Sequence, residues 1–312
     1  MVSRAAVVPV IHSEQPRALA ITVRSLLRAG FIPVVVFDRL GAEVVRFIAG
    51  LRGEGVELVP VHGTTWVTSG DVGVGQARDV GFRHAVELGF ECVATADSHV
   101  YLLDSAERLC RDALEHGGAQ GTRIDAPFWQ WPHSGWGPPW HGRMYSVSLT
   151  RHVDVISCAV KPWSYEPLLA FSARALRELM DAQLGRVIVG RGFGAELADL
   201  TISVSRLGHR VACSPVRYVH RASSGAEEFW RARWRDPLQV RYWKESFGAY
   251  VLKHVPDWVR TPYRDFVRAL EPWQAAACEE FKRRARRDIF SVYAEFIASR
   301  PAVRGNVNEL LL

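Results

Sequence analysis

Short apolar runs alternate with longer stretches of helical spacing in the first third of the chain. The pattern predicts, in order, strand 5–11, helix 16–29, strand 33–37, helix 42–52, strand 56–61, helix 75–88 and a strand that ends at Asp97. Strands that alternate with helices of this length are typical of an α/β fold, a mostly parallel sheet with helices on both faces. Ligands bind at the carboxyl ends of the strands in such a sheet. We therefore expect Asp38 and Asp97, which each follow a strand, at one edge.

The alternation fails between residues 117 and 166, where prolines crowd together with Trp129, Trp131, Trp136 and Trp140. Four tryptophans are poor material for a disordered linker, so this stretch is interpreted as a long functional loop or a small excursion from the domain. The later pattern predicts helices 172–183 and 195–207, strand 210–214, an extended stretch to 221, and helices from 225 onward. We expect an α/β domain over residues 1–222 and a helical C-terminal extension over 223–312.

Composition narrows the function only slightly. The chain has 312 residues, of which 48% are hydrophobic, and this is ample for a large core. A net charge of +6 suits an anionic ligand, either a nucleotide or nucleic acid. Five cysteines without C-x-x-C spacing indicate neither a zinc site nor a disulfide framework. No stretch approaches the roughly 18 apolar residues of a membrane span. These features predict a cytoplasmic enzyme or binding protein that does not contact the membrane.

Asp97-Ser98-His99 follows a buried apolar run, and both ionisable groups resist burial unless something compensates them. On an extended segment, residues two apart point the same way, so Asp97 and His99 can reach one metal ion. In the alternative interpretation Asp97 caps a turn or helix and His99 is a surface residue.

Several motifs occur in an order that resembles a known family. They are the strand ending at Asp38, Ala77-Arg78 with Gly81 one turn later, Asp97-x-His99, the pair Glu196 and Asp199 before Gly208, and Pro215 before His220. This order resembles the GT-A glycosyltransferases, both the family 2 enzymes and, through the Asp-x-His motif, most closely the polypeptide N-acetylgalactosaminyltransferases. The resemblance covers about residues 5–222. The family's paired acids after the second strand are reduced here to Asp38, and its C-terminal lectin domain is not visible.

The resemblance implies a hexosyl- or N-acetylhexosaminyltransferase that uses a nucleoside-diphosphate sugar, with a UDP-sugar as the expected donor. Asp97, His99 and His220 would bind a divalent ion. One carboxylate and two imidazoles suit manganese better than magnesium, which prefers oxygen ligands. The nucleotide would contact Asp38, Arg78 and Asp97, and the catalytic residues would be Glu196 and Asp199.

Other interpretations of single residues stay open. Asp38 could start a turn, Arg78 could pair with Asp79 or Asp97, and Glu196 could cap its helix.

The acceptor and the function class are also open. The acceptor could be a peptide or protein, a small molecule, or a hydroxylated DNA base of the kind found in phages. The arginines and tryptophans between 230 and 244 could contact nucleic acid or pack on the main domain. A sugar nucleotidyltransferase and a non-catalytic binding module for nucleotide sugars or nucleic acid are the alternatives from other classes.

Overall fold

The computed structural model describes residues 2–10, 16–37, 73–123, 167–190 and 196–220, the short pieces 46–47, 49–50, 53, 55 and 57–60, and Lys253 and Ala276. The Trp-rich loop and the predicted C-terminal helical extension lie outside them, apart from Lys253 and Ala276, which are both helical. Of the predicted helix 42–52, the four described residues are helical.

The described elements follow the predicted alternation closely in the first third of the chain. In chain order they are β1 (Arg4–Val10), α1 (Pro16–Ala29), β2 (Ile32–Phe37), β3 (Glu57–Pro60), α2 (Val74–Glu87), β4 (Cys92–Ala96), β5 (Val100–Leu102), α3 (Glu107–His116), β6 (Gly117–Arg123), β7 (Leu168–Ser172), α4 (Ala173–Ala182), α5 (Glu196–Arg206) and β8 (Arg210–His220). No helix among the described residues is both long enough and apolar enough to cross a membrane.

The described strands form one sheet in the order β3-β2-β1-β4-β7-β6-β8-β5. Strands β3, β2, β1 and β4 are all parallel, so their carboxyl ends share one edge. Strand β7 runs antiparallel to β4 and β6, and β5 runs antiparallel to β8, which is itself parallel to β6. The predicted α/β sheet is confirmed, with a fully parallel half and a mixed half.

Helices cover both faces of this sheet, as predicted. Side chains alternate along β1, so Val8 belongs to the apolar cluster that includes α1 and α3, whereas Val7 belongs to the cluster that includes α2, α4 and α5. A strand covered on both faces has no polar side, and this explains the continuous apolar run of β1.

Helix α2 lies unusually close to the sheet at Gly81. A Cβ atom added at Gly81 would be 2.4 Å from Val7 Cγ1 and 2.8 Å from Val36 Cγ2. A glycine is therefore needed for α2 to approach β1 and β2. This close approach also sets the distance from the sheet of the preceding turn of α2, which carries Arg78.

The sequence interpretation missed two central strands. Strand β6, GGAQGTR, lies where the alternation was predicted to fail, and it has no apolar alternation. Its glycines are filled from neighbouring strands: a Cβ at Gly121 would be 2.7 Å from Leu168 Cδ2, and one at Gly118 would be 3.1 Å from Phe171 Cδ1. Strand β7, LLAFS, is buried throughout, and its short apolar run was a signal that could have revealed it.

Candidate metal centre

Strand β8 brings a histidine to the end of β4 from far along the chain. The sequence predicted a strand 210–214 followed by an extended stretch, and the structure joins both into one strand. Its pairing with β6 shifts register around Pro215, which cannot donate a ladder hydrogen bond and is tolerated at such an irregularity. Beyond this shift β8 also pairs with β5, and His220 lies directly opposite Val100.

The segment Asp97–Val100 is a tight turn, so the expectation of an extended segment is wrong. The backbone N–H of Val100 donates to the carbonyl of Asp97 at 3.0 Å, which closes a four-residue turn between β4 and β5. From helix α1, the hydroxyl of Thr22 donates to the carbonyl of Ser98 at 2.7 Å. The turn and its anchor, not the alternation of an extended chain, set the direction of His99.

Three side chains meet at this turn. Ligand atoms of Asp97, His99 and His220 all lie within 4.8 Å of one another. The Nε2 atom of His220 is 3.2 Å from Asp97 Oδ2, and the rings of His99 and His220 stack at 4.6 Å with 28° between their planes. One carboxylate oxygen and two imidazole nitrogens fit a transition-metal ion such as manganese. The structure therefore brings together the three residues that the family resemblance implied for a metal.

The carboxyl group of Asp97 is held in its charged form. Burial acts to raise its pKa, but the Arg78 guanidinium, the hydrogen bond from His220 and the nearby His99 together hold the pKa well below its usual range. Because metal ligands must be deprotonated, Asp97 is ready to bind a cation at neutral pH. Its side chain is 24% exposed, so the charge is also accessible from outside.

Arg78 lies behind Asp97 and joins it to helix α5. Its Nη2 donates to Asp97 Oδ1, its Nη1 donates to Glu196 Oε1 at 2.5 Å, and its Nε donates to Thr95 Oγ1 at 3.3 Å. Of the two acids proposed as partners from the sequence, Asp97 is the observed one. Glu196 is 7% exposed at the start of α5, and the sequence did not foresee that it pairs with Arg78.

Asp79, the other acid, fastens α2 to the segment after α4. Its Oδ1 accepts from the backbone N–H groups of Val187 and Ile188 at 2.7 and 3.0 Å, and its Oδ2 accepts from Arg83 and Arg186, both at 3.2 Å. Burial raises its pKa, although the guanidinium groups and backbone donors act to lower it. The sequence contained no signal that distinguished Asp79 from Asp97 as the partner of Arg78.

The carboxylate of Asp199 forms a buried ion pair with Lys253. Its carboxylate oxygens lie 2.7 and 2.9 Å from Lys253 Nζ, and both side chains are almost completely buried. The same lysine also donates to Gln183. These contacts favour a structural role for Asp199, and its predicted catalytic role stays a prediction. The predicted nucleotide contact Asp38 lies outside the described residues.

The chain has sequence and structural similarity to known proteins. No protein-family profile matches it. A protein named "Uncharacterized 38.7 kDa protein" from Thermoproteus tenax virus 1 (strain KRA1) is 24% identical over 194 residues, or 59% of this chain. The match spans 57% of that relative's length, a little over half.

Two glycosyl-transferring enzymes are among the solved structures that the chain resembles. One is the mannosyltransferase PcManGT from Pyrobaculum calidifontis in complex with GDP-Man and Mn2+ (TM-score 0.48, 14% identity, 99% of this chain and 84% of that one). The other is glucosyl-3-phosphoglycerate synthase from Mycobacterium tuberculosis in complex with Mn2+, UDP and glucosyl-3-phosphoglycerate (TM-score 0.46, 12% identity, 79% of this chain and 80% of that one).

Proposed function

We propose that this chain is a metal-dependent glycosyltransferase of the GT-A type, which moves a sugar from a nucleoside-diphosphate sugar to a hydroxyl acceptor. The observation that carries the proposal is the convergence of Asp97, His99 and His220, whose ligand atoms lie within 4.8 Å of one another. The last of these residues is more than a hundred positions from the other two, so local sequence does not produce the grouping.

The position of this group in the fold supports the proposal. Asp97 follows β4 at the carboxyl edge of the parallel half of the sheet, where ligands of α/β proteins bind. A divalent ion held there would act as a Lewis acid toward a departing diphosphate. Asp97 contributes a charged carboxylate, and His99 and His220 contribute imidazole nitrogens. This donor set favours manganese over magnesium.

Glu196 is the residue that we place nearest to the reacting sugar. It starts helix α5, where the helix dipole stabilises a carboxylate, and it contacts the same arginine as Asp97. A UDP-sugar is the donor that the family resemblance favours, with Asp38 as a further nucleotide contact. Within the proposal, the transferred group is a hexose or an N-acetylhexosamine, and the specific likeness to polypeptide N-acetylgalactosaminyltransferases stays a prediction.

A thermal-shift screen tests the metal and donor parts of the proposal. A ligand that binds only the native state raises the melting temperature, so a panel of nucleotide sugars is compared with and without Mn2+. In the parent chain we expect a manganese-dependent rise with at least one donor. His99→Ala should abolish that rise while the melting temperature without ligand changes little, because His99 lies in a turn and its side chain is only partly buried. His116→Ala serves as the matched control, since His116 lies outside the group.

The absence of any manganese-dependent rise in the parent chain would contradict the proposal. A large loss of stability in unliganded His99→Ala would instead identify a structural histidine.

The released product separates the transferase from its alternatives. A glycosyltransferase releases a nucleoside diphosphate, whereas a nucleotidyltransferase that joins a nucleoside triphosphate to a sugar phosphate releases pyrophosphate. Parallel transfer assays with peptides, with small hydroxylated molecules and with DNA that carries hydroxymethylated bases distinguish the acceptor classes. Donor binding without turnover in every arm would favour a binding module.

A further inference from the structure

Arg78 is a buried cation between two acids. Only 2% of the residue is exposed, and its Nε, Nη1 and Nη2 atoms donate to Thr95, Glu196 and Asp97 respectively. Thr95 is itself fixed, because its hydroxyl donates to the backbone carbonyl of Val7 at 3.3 Å. The guanidinium is thus held from three directions, by strand β4, the turn that follows it and helix α5.

The family resemblance implied a nucleotide contact for Arg78, and the observed contacts fit poorly with such a contact to a phosphate. A guanidinium that binds a phosphate must present its fork of donors to the ligand. Here one donor of the fork points at Asp97 and the other at Glu196, and the side chain is 3% exposed. A diphosphate approaching from solvent would have to displace two carboxylates.

Arg78 also holds one oxygen of Asp97 and so fixes the orientation in which the carboxylate is presented to a metal. The terminal torsion of an aspartate is broad and roughly two-fold, so an unrestrained carboxylate exchanges its oxygens easily. Arg78 occupies Oδ1, and Oδ2 is left beside His220 Nε2 at 3.2 Å. One oxygen is therefore engaged by Arg78 and the other is directed toward His220 before any ion binds.

We propose that Arg78 is a positioning residue of the metal centre: it fixes the Asp97 carboxylate as a one-oxygen ligand through Oδ2 and ties it to Glu196. This inference rests on the proposed function, because it assumes that Asp97, His99 and His220 bind the ion. Partners of metal ligands commonly set metal affinity by 10- to 100-fold.

Electrostatics and positioning make opposite predictions for removing this arginine. A cation beside a metal ligand repels the metal, so charge alone predicts tighter binding once the cation is lost. Positioning predicts weaker binding, since the carboxylate loses its fixed orientation. Arg78→Lys separates the two effects further, because it keeps the charge and loses the planar fork.

The experiment titrates Mn2+ alone into the full chain and measures free Mn2+ by electron paramagnetic resonance. We expect Arg78→Lys to weaken Mn2+ binding about 10- to 100-fold. Arg111→Lys is the matched control, since Arg111 forms an exposed ion pair with Glu107. The Mn2+ affinity of this variant should equal that of the parent chain. Metal-free UDP is titrated in parallel, and its affinity should not change in Arg78→Lys.

A second variant keeps the test decisive if Arg78→Lys does not fold. Thr95→Val leaves the arginine in place and removes the acceptor for Nε, so it should weaken Mn2+ binding in the same direction by a smaller factor. Unchanged Mn2+ affinity in Arg78→Lys overturns the positioning role. If Arg78→Lys does not fold, unchanged Mn2+ affinity in Thr95→Val overturns it. A loss of metal-free UDP affinity in Arg78→Lys overturns it in favour of a phosphate contact. A parent chain that binds no Mn2+ overturns the proposed function together with this inference.

Discussion

Gly81→Ala is expected to destabilise the chain, because one methyl group would fall inside the contact between helix α2 and the sheet. The added Cβ would lie 2.4 Å from Val7 Cγ1 and 2.8 Å from Val36 Cγ2. Carbon atoms at optimal separation are about 3.5–4.0 Å apart, so the closer contact must open by about 1 Å. Both valines are fully buried, and β-branched side chains have few alternative rotamers. The helix must therefore move away from β1 and β2.

The size of the effect follows from two opposing contributions. Overpacking a well-filled core costs about 1–3 kcal/mol, and the two close contacts place Gly81→Ala at the upper end of that range. Alanine in place of glycine within a helix returns about 1 kcal/mol. The net expected loss is about 2 kcal/mol, and the same shift of α2 displaces Arg78, so Mn2+ affinity should fall as well.

Urea unfolding of the parent and the variant measures this loss as a lower midpoint with an unchanged slope. Gly50→Ala is the matched control: it also lies in a helix, and a Cβ there meets nothing within 4 Å. It should be neutral or slightly stabilising. Gly81→Ala within about 0.5 kcal/mol of the parent would refute the claim that this glycine sets the distance of α2 from the sheet, since surface changes commonly fall in that range.

The pKa shifts of two carboxylates predict opposite effects of pH on the free energy of unfolding. Hydrogen bonds from Arg217 lower the pKa of Asp104 from 3.8 to about 2, so the contribution of Asp104 to stability is present above pH 3.8 and is lost as the pH falls toward 2. Urea unfolding at a series of pH values should show that Asp104→Asn removes this pH dependence. An unchanged pH dependence in the variant would contradict the assignment. Burial raises the pKa of Asp79 from 3.8, despite Arg83 and Arg186, so the native state binds more protons than the unfolded state just above that pH. The stability of the parent should therefore fall relative to Asp79→Asn as the pH rises from 3.8, and a difference that stays flat or moves the other way would show that the carboxylate is not penalised by burial.

Local pattern was enough to predict the first half of the sheet. The apolar runs of β1, β2 and β4 and the helical spacing of α1 and α2 are short-range signals, since each element must bury a face with its own period. The position of Asp97 after β4 followed directly from these runs. The resemblance in motif order added His220, which no periodicity marks.

The local pattern did not predict elements that depend on side chains from distant segments of the chain. Strand β6 has glycines in place of apolar side chains because Leu168 and Phe171 fill the space, and these residues are far from it in sequence. The turn at Asp97 was anticipated only by the alternative interpretation, and the hydrogen bond from Thr22 that anchors it comes from helix α1. Neither signal can be read within a window of a few residues.

The sequence by itself determined the alternation of strands and helices and the residue types available for a metal centre. Only the tertiary structure decided which of these residues meet, with His220 reaching Asp97 across 123 positions and Arg78 reaching Glu196 across 118. The physical reason is that a short segment fixes its own secondary structure through its own backbone and periodicity. Contacts between distant segments depend instead on strand pairing and core packing, which are properties of the whole domain.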